Sequence, residues 1–107
     1  MAPVTTPASR EAMLTVRQQL ITLLLAQELN AMELSHALGV MEKEVYSHLA
    51  HIAQSIGRQG MKLVVTPFTC LACGFTFTGR NRWDRPGRCP KCKQGHIRLA
   101  SYRIVGS

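Results

Sequence analysis

The chain has 107 residues, 46% of them apolar and 6% aromatic, and a formal net charge of +7. That length supports one modest domain or two very small ones, and the composition is that of a folded chain without a large aromatic core. The apolar stretch Leu20 to Ala26 is seven residues long, far short of the roughly 20 needed to cross a membrane, so no membrane partner is expected. Met1 to Pro7 lacks the basic start and apolar run of a secretion signal. A cytoplasmic location is the expectation.

The charge is unevenly placed. Residues 1–61 hold Arg10, Arg17, Lys43 and Arg58 against five glutamates, a net of −1. Residues 62–107 hold nine lysines and arginines against Asp84 alone, a net of +8. Basic charge gathered in one half points to a polyanionic partner, most often nucleic acid, or to a solvated basic surface.

In chain order, residues 1–14 read as an N-terminal arm, partly disordered, with residues 1–8 rich in Pro and Thr. Thr15 and Gln18 have the spacing of a capping box, so a helix is expected from about Thr15 to Gln27, with a start as early as Ser9 left open by the absence of helix breakers. Val16, Leu20, Leu23 and Leu24 fall on one face and Leu14, Ile21 and Leu25 on the other. The second face is either a homodimer seam or is covered by the arm. Asn30 with Glu33 marks a second helix start, and Gly39 follows its end at Leu38. A third helix should run from Glu42 to Ile56, with Val45, Leu49, Ile52 and Ile56 as its core stripe. Two short helices joined at a glycine make a helix-turn-helix, which sets a domain over 15–60. The stretch Glu33 to Leu49 resembles the winged-helix repressors of the arsenic-sensor type.

After Gly60 the pattern turns to strands. Lys62-Leu63-Val64-Val65 stands where a wing would begin. Phe75 to Thr78 alternates and should form a strand, as should His96 to Leu99 and Tyr102 to Val105, with a slip near Ala100-Ser101 that predicts a bulge. Residues 61–107 are thus expected to be a wing strand plus a small antiparallel ribbon.

That ribbon is built on two C-x2-C pairs, Cys70/Cys73 and Cys89/Cys92, with fifteen residues between them. Each pair aims two thiolates at one point, and together they offer four soft ligands in a tetrahedron, which suits one structural Zn2+. Iron in a rubredoxin-like site uses the same ligands, and disulfide or redox chemistry is the remaining alternative. Four thiolates around a dication contribute about −2, leaving the ribbon half about +6.

The order of these parts, with Glu33 to Leu49, Lys62 to Val65 and the knuckles Cys70-Leu71-Ala72-Cys73-Gly74-Phe75 and Cys89-Pro90-Lys91-Cys92, resembles small prokaryotic predicted transcriptional regulators in which a helix-turn-helix is fused to a C-terminal zinc ribbon. The resemblance spans about residues 15–105. It implies an α+β fold, a three-helix winged helix-turn-helix followed by a four-cysteine zinc ribbon, and a role in transcription regulation. Met41 departs from the Ser or Thr that usually opens the third helix, and Glu42 and Glu44 would repel phosphates.

Two surfaces are candidates for contact with double-stranded DNA. On helix three, Lys43, Ser47, Gln54 and Arg58 project away from the core stripe, with Tyr46 at the edge. In the loop between the knuckles, Arg80, Arg82, Arg85 and Arg88 surround Trp83, with Lys91 beside them. Trp83 itself reads as apolar cover for the ribbon. His48 and His51, with His36, could chelate a metal, although packing roles are commoner for such residues. No catalytic arrangement is visible, so no enzyme activity is expected. The sequence therefore predicts a DNA-binding regulator, with a protein-interaction adaptor gripping an acidic partner such as a transcription-machinery protein as the alternative, and an iron carrier as a third reading.

Overall fold

A computed structural model describes residues 10–79 and 82–106, with side chains from residue 15 onward. Helix α1 spans Arg10–Ala26, starting upstream of the Thr15 signal because nothing between Arg10 and Leu14 breaks a helix. Leu20 and Leu24 are fully buried, Val16, Ile21 and Leu23 are half-buried, and Leu25 is 45% exposed. The side chain of Leu14 lies outside the described residues, as does most of the N-terminal arm. None of the described helices is long and apolar enough to cross a membrane.

The chain leaves α1 through a two-residue strand, β1 (Leu29–Asn30), which the sequence does not announce. Asn30 then caps α2 (Ala31–Leu38): its Oδ1 accepts from the Glu33 N–H at 2.8 Å, and Glu33 Oε1 accepts from the Asn30 N–H at 2.8 Å. Both orphan donors of the helix start are thereby satisfied. Gly39 ends the helix at φ 69°, and its N–H donates to Ser35 O. Helix α3 (Glu42–Ser55) follows and tightens into a 3-10 turn over Ile56–Gln59. Val45, Leu49, Ile52 and Ile56 are all at most 1% exposed, as their spacing predicts.

The strands are β2 (Met61–Thr66), β3 (Thr69–Cys70), β4 (Ile97–Arg98) and β5 (Ser101–Gly106). Strand β5 lies in the middle of a three-stranded antiparallel sheet between β1 and β2, and β3 pairs with β4 in a separate two-stranded sheet. Thr66 faces Ser101 and Thr69 faces Arg98, so one register continues across both sheets. The ladder stops between them at Pro67, which has no N–H to give. No residue is inserted, and the expected bulge near Ala100 is absent. The slip in alternation has another cause. Ala100, Tyr102 and Ile104 alternate onto the helical side at 1–2% exposure, whereas Ile97 and Leu99, of opposite parity, are half-buried.

Phe75 to Thr78, expected as a strand, makes among the described residues a single bridge, from Thr76 to Thr69, with a hydrogen bond from Phe77 N–H to Phe68 O beside it. Phe75 and Phe77 pack edge to face with centroids 5.0 Å apart, and left-handed Gly74 and Gly79 bracket the segment. The run is too short between those turns to pair further.

The core joins both halves of the chain. Leu20, Leu24 and Leu34, with the α3 stripe, meet Phe68, Tyr102 and Ile104 in one buried cluster. At the sheet's edge Glu28, just after α1, accepts hydrogen bonds from the Ser101 hydroxyl and from Thr66 Oγ1, the latter at 3.1 Å. These donors, aided by Arg103 and Arg98, hold its carboxyl below the usual range.

Candidate metal centre and basic surface

Each cysteine pair sits on a tight turn. Gly74 N–H donates to Cys70 O at 2.8 Å and Lys93 N–H to Cys89 O at 2.9 Å, closing the two turns. Each turn is also anchored behind its first cysteine, by Cys70 N–H to Phe75 O and Cys89 N–H to Gln94 O. The pairing of β3 with β4 and the bond from Leu71 N–H to His96 O bring the strand after the second knuckle against the first.

The result is a cluster. The four Sγ atoms lie within 4.8 Å of one another, with Cys70 to Cys92 at 3.5 Å and Cys73 to Cys89 at 3.6 Å. A disulfide needs about 2.0 Å, so these sulfurs are not bonded to each other, and all four cysteines are free. A tetrahedral ion with metal–sulfur bonds near 2.3 Å requires sulfur–sulfur edges of about 3.8 Å. The four cysteines fit one metal ion.

The electrostatics point the same way. Burial works to raise the Cys70 thiol, but the Cys73 and Ala72 N–H groups at its sulfur and the neighbouring thiols bring it down to about 7. Cys89 is lowered likewise: burial opposes, and the Cys92 and Lys91 N–H groups, the latter 3.3 Å from the sulfur, favour the thiolate. The second cysteine of each turn moves the other way. At Cys92 the Gln94 N–H favours the thiolate, but burial and the other three sulfurs push it up to about 12. At Cys73 the Phe75 N–H is outweighed by burial and by Cys89 and Cys70. Four anionic sulfurs this close repel one another, and a bound cation is what lets all four ionise.

The histidines form no such cluster. His48 is 6% exposed, and its Nδ1 accepts from Arg17 Nε at 3.1 Å, which engages the lone pair a metal would need. Among the described residues the cysteines are the one group with metal-binding geometry.

The candidate DNA contacts divide. Lys43, Ser47 and Gln54 on α3 and Arg58 in the following turn are exposed. Tyr46, expected at the edge of that face, is 6% exposed: its ring lies 6.5 Å from that of Phe68, and its hydroxyl donates to Glu42 Oε2 at 2.7 Å. Burial, then this bond, raises its hydroxyl well above the ordinary value. In the loop, Arg82 forms a bidentate pair with Asp84 at 3.0 and 3.2 Å. Arg85 reaches across to Glu42, with contacts of 2.8 and 3.1 Å. Arg88 and Lys91 are exposed and form no ion pair among the described residues. Arg80 lies outside the described residues. Trp83 is half-buried and covers more than the ribbon, since its ring lies 6.2 Å from Tyr102 of β5. Beside it a cleft of about 420 Å3 opens between ribbon and sheet, lined by Val65, Pro67, Phe68, Phe77 and Ala100 among others. The sequence reading missed the partner of Glu42, and no local signal marks a contact across 43 residues.

Residues 15–64 match the family model described as PF0610-like, N-terminal. The match takes in α1 from Thr15, all of α2 and α3 and most of β2, and stops before the first cysteine. Along nearly its whole length the chain is similar to the solution NMR structure of protein PF0610 from Pyrococcus furiosus, with 28% identity, a TM-score of 0.75, and coverage of 99% of this chain and 100% of that one. The likeness therefore extends through the cysteine-bearing part. A comparison with curated proteins returned no match.

Proposed function

We propose that the chain is a DNA-binding transcriptional regulator of the cytoplasm, in which a winged helix-turn-helix reads double-stranded DNA and a zinc ribbon adds contacts to the phosphate backbone. The observation that carries this reading is the exposed row Lys43, Ser47, Gln54 and Arg58, presented by the helix that follows the Gly39 turn. Strand β2 takes the place of the wing. Arg88 and Lys91 supply free cations on the ribbon. One Zn2+ held by Cys70, Cys73, Cys89 and Cys92 is structural: it replaces the apolar core that so short a segment cannot build. The four thiolates close a tetrahedral coordination sphere, so the reading assigns no reaction to the ion.

Metal analysis and a salt-titrated DNA-binding assay test it together. A colourless protein with one zinc per chain is expected; a red protein with visible absorption indicates iron instead. Affinity for duplex DNA should fall with a log–log salt slope of about −0.9 per phosphate contact, and Lys43→Ala or Arg58→Ala should each reduce that slope by about 1. Flat salt dependence overturns the DNA reading.

A second reading, an adaptor whose basic ribbon binds an acidic protein of the transcription machinery, is favoured by one feature. Tyr46 is buried and Arg82 and Arg85 are engaged, which leaves fewer groups free for DNA. In this reading the exposed Leu25 on α1 contributes to a homodimer seam. No gel retardation at low salt, together with capture of an acidic protein partner, decides for it.

A further inference from the structure

Arg85 belongs to the loop between the two cysteine knuckles, four residues before Cys89, yet its guanidinium ends on helix α3. Its Nε donates to Glu42 Oε2 at 3.1 Å and a terminal nitrogen donates to Oε1 at 2.8 Å. The Tyr46 hydroxyl donates to the same Oε2 at 2.7 Å. Both oxygens of Glu42, the first residue of α3, are thus occupied, one by a loop residue 43 positions away and one by both that residue and a buried tyrosine of its own helix. Two residues before Arg85, Trp83 packs on Tyr102. The loop is held at its ends by the knuckles and in its middle by these two contacts.

The ion pair is half open to water, its side chains 43% and 25% exposed. A pair of that exposure contributes less than the entropy lost in ordering even two backbone residues. It cannot by itself hold a fifteen-residue connection in place. Closing that connection through Cys73 and Cys89 at a shared ion can, because the ends are then fixed before Arg85 has to find Glu42.

We propose that the Arg85–Glu42–Tyr46 cluster is a metal-dependent latch. An ion bound by the four cysteines delivers Arg85 to Glu42, which docks the loop on α3 and neutralises the acidic first turn of that helix. Removal of the ion frees Arg85 and leaves Glu42 uncompensated beside Glu44. Metal occupancy of the ribbon is thereby read out at the start of the exposed α3 face. The inference rests on the metal part of the proposed function and is independent of its DNA part.

Amide hydrogen exchange on the full chain tests it, with the zinc-loaded and chelated forms of the wild type and of Arg85→Met compared, and zinc uptake measured in parallel. In the wild type, chelation should speed exchange at Val45, Tyr46 and Ser47 by about tenfold, the scale of a local opening, while Leu24 and Leu34 are unchanged. In zinc-loaded Arg85→Met the same three amides should already exchange fast, and chelation should add nothing. Equal exchange in the two wild-type forms overturns the latch, as does zinc-dependent protection that survives Arg85→Met. Loss of protection at Leu24 and Leu34 also overturns it, because the metal would then support the whole fold. Absence of zinc uptake removes both the metal reading and the latch, whereas uptake without any effect on α3 removes the latch alone.

Discussion

Lys93 stands in the second cysteine turn where Gly74 stands in the first. Both follow the second cysteine of their pair, both take a left-handed conformation (φ 67° and 81°), and both donate their N–H to the carbonyl of the first cysteine. The two turns, Cys70 to Phe75 and Cys89 to Gln94, match bond for bond while sharing only their cysteines. A Cβ added at Gly74 would meet nothing within 4 Å, so the cost there is conformational and not steric. A lysine in the left-handed region carries a penalty of about 1–2 kcal/mol that glycine does not. Lys93→Gly should therefore stabilise the metal-loaded protein by about 1 kcal/mol, and Gly74→Ala should destabilise it by a similar amount. Thermal unfolding of the two variants checks both signs.

Helices α2 and α3 begin differently. Asn30 satisfies an N–H of its helix with its side chain, whereas Met41 has no side-chain acceptor: its own N–H donates to Glu44 Oε1 at 3.0 Å and its carbonyl accepts from the Glu44 N–H at 3.0 Å. Met41 is also 63% exposed, so nothing in the core is lost when it is replaced. Met41→Ser should stabilise the protein by about 1 kcal/mol, and Asn30→Ala should cost about the same. Denaturant midpoints measure both, with the slope of the transition expected to stay constant.

The two faces of α1 should respond unequally to truncation. Leu24 is fully buried against the cluster that contains Tyr102 and Ile104, while its neighbour Leu25 is 45% exposed. Leu24→Ala should destabilise by about 2–5 kcal/mol, and Leu25→Ala by about 0.5 kcal/mol or less in the monomer. A concentration-dependent loss of stability in Leu25→Ala would reveal that this residue is covered by a second copy in solution.

His48 predicts a pH dependence. Burial first, and then the neighbouring Arg17 cation, lowers its pKa below the ordinary 6.5, with Glu44 opposing and His51 adding to the depression. The folded state therefore binds fewer protons at this site than the unfolded chain. The stability it supports is present above about pH 6.5 and declines as pH falls below that value toward the lower folded pKa. His48→Asn keeps an acceptor near Arg17 but cannot titrate. Unfolding free energies measured between pH 5 and 8 should fall less steeply with acid for this variant than for the wild type.

How far the chain can be read depends on how far apart the interacting residues are. Asn30 and Glu33 lie three apart, the α3 stripe repeats every three or four residues, and each cysteine pair spans four. These signals act within a turn or two of backbone, so the Asn30 cap, the buried faces and the four clustered cysteines were legible without the fold. Interactions between distant residues carry no such local mark. Tyr46 shares the polar edge of α3 in a helical projection, but the ring of Phe68, from beyond β2 in the chain, lies against it and buries it. Phe75 to Thr78 alternates like a strand, yet among the described residues it finds one bridging partner, Thr69.

By itself, then, the sequence determined the order of the helices, the stripes they bury and the four cysteines that fit one metal ion. Only the tertiary structure decided what the charged and aromatic side chains do with the surface that remains. It placed β5 between β1 and β2 against the helices, turned His48 toward Arg17, and set Arg85 on Glu42. The physical reason is that a charge or a ring has no preferred partner along the chain. Its role is set by whichever complementary group the packed core brings within 3 or 4 Å.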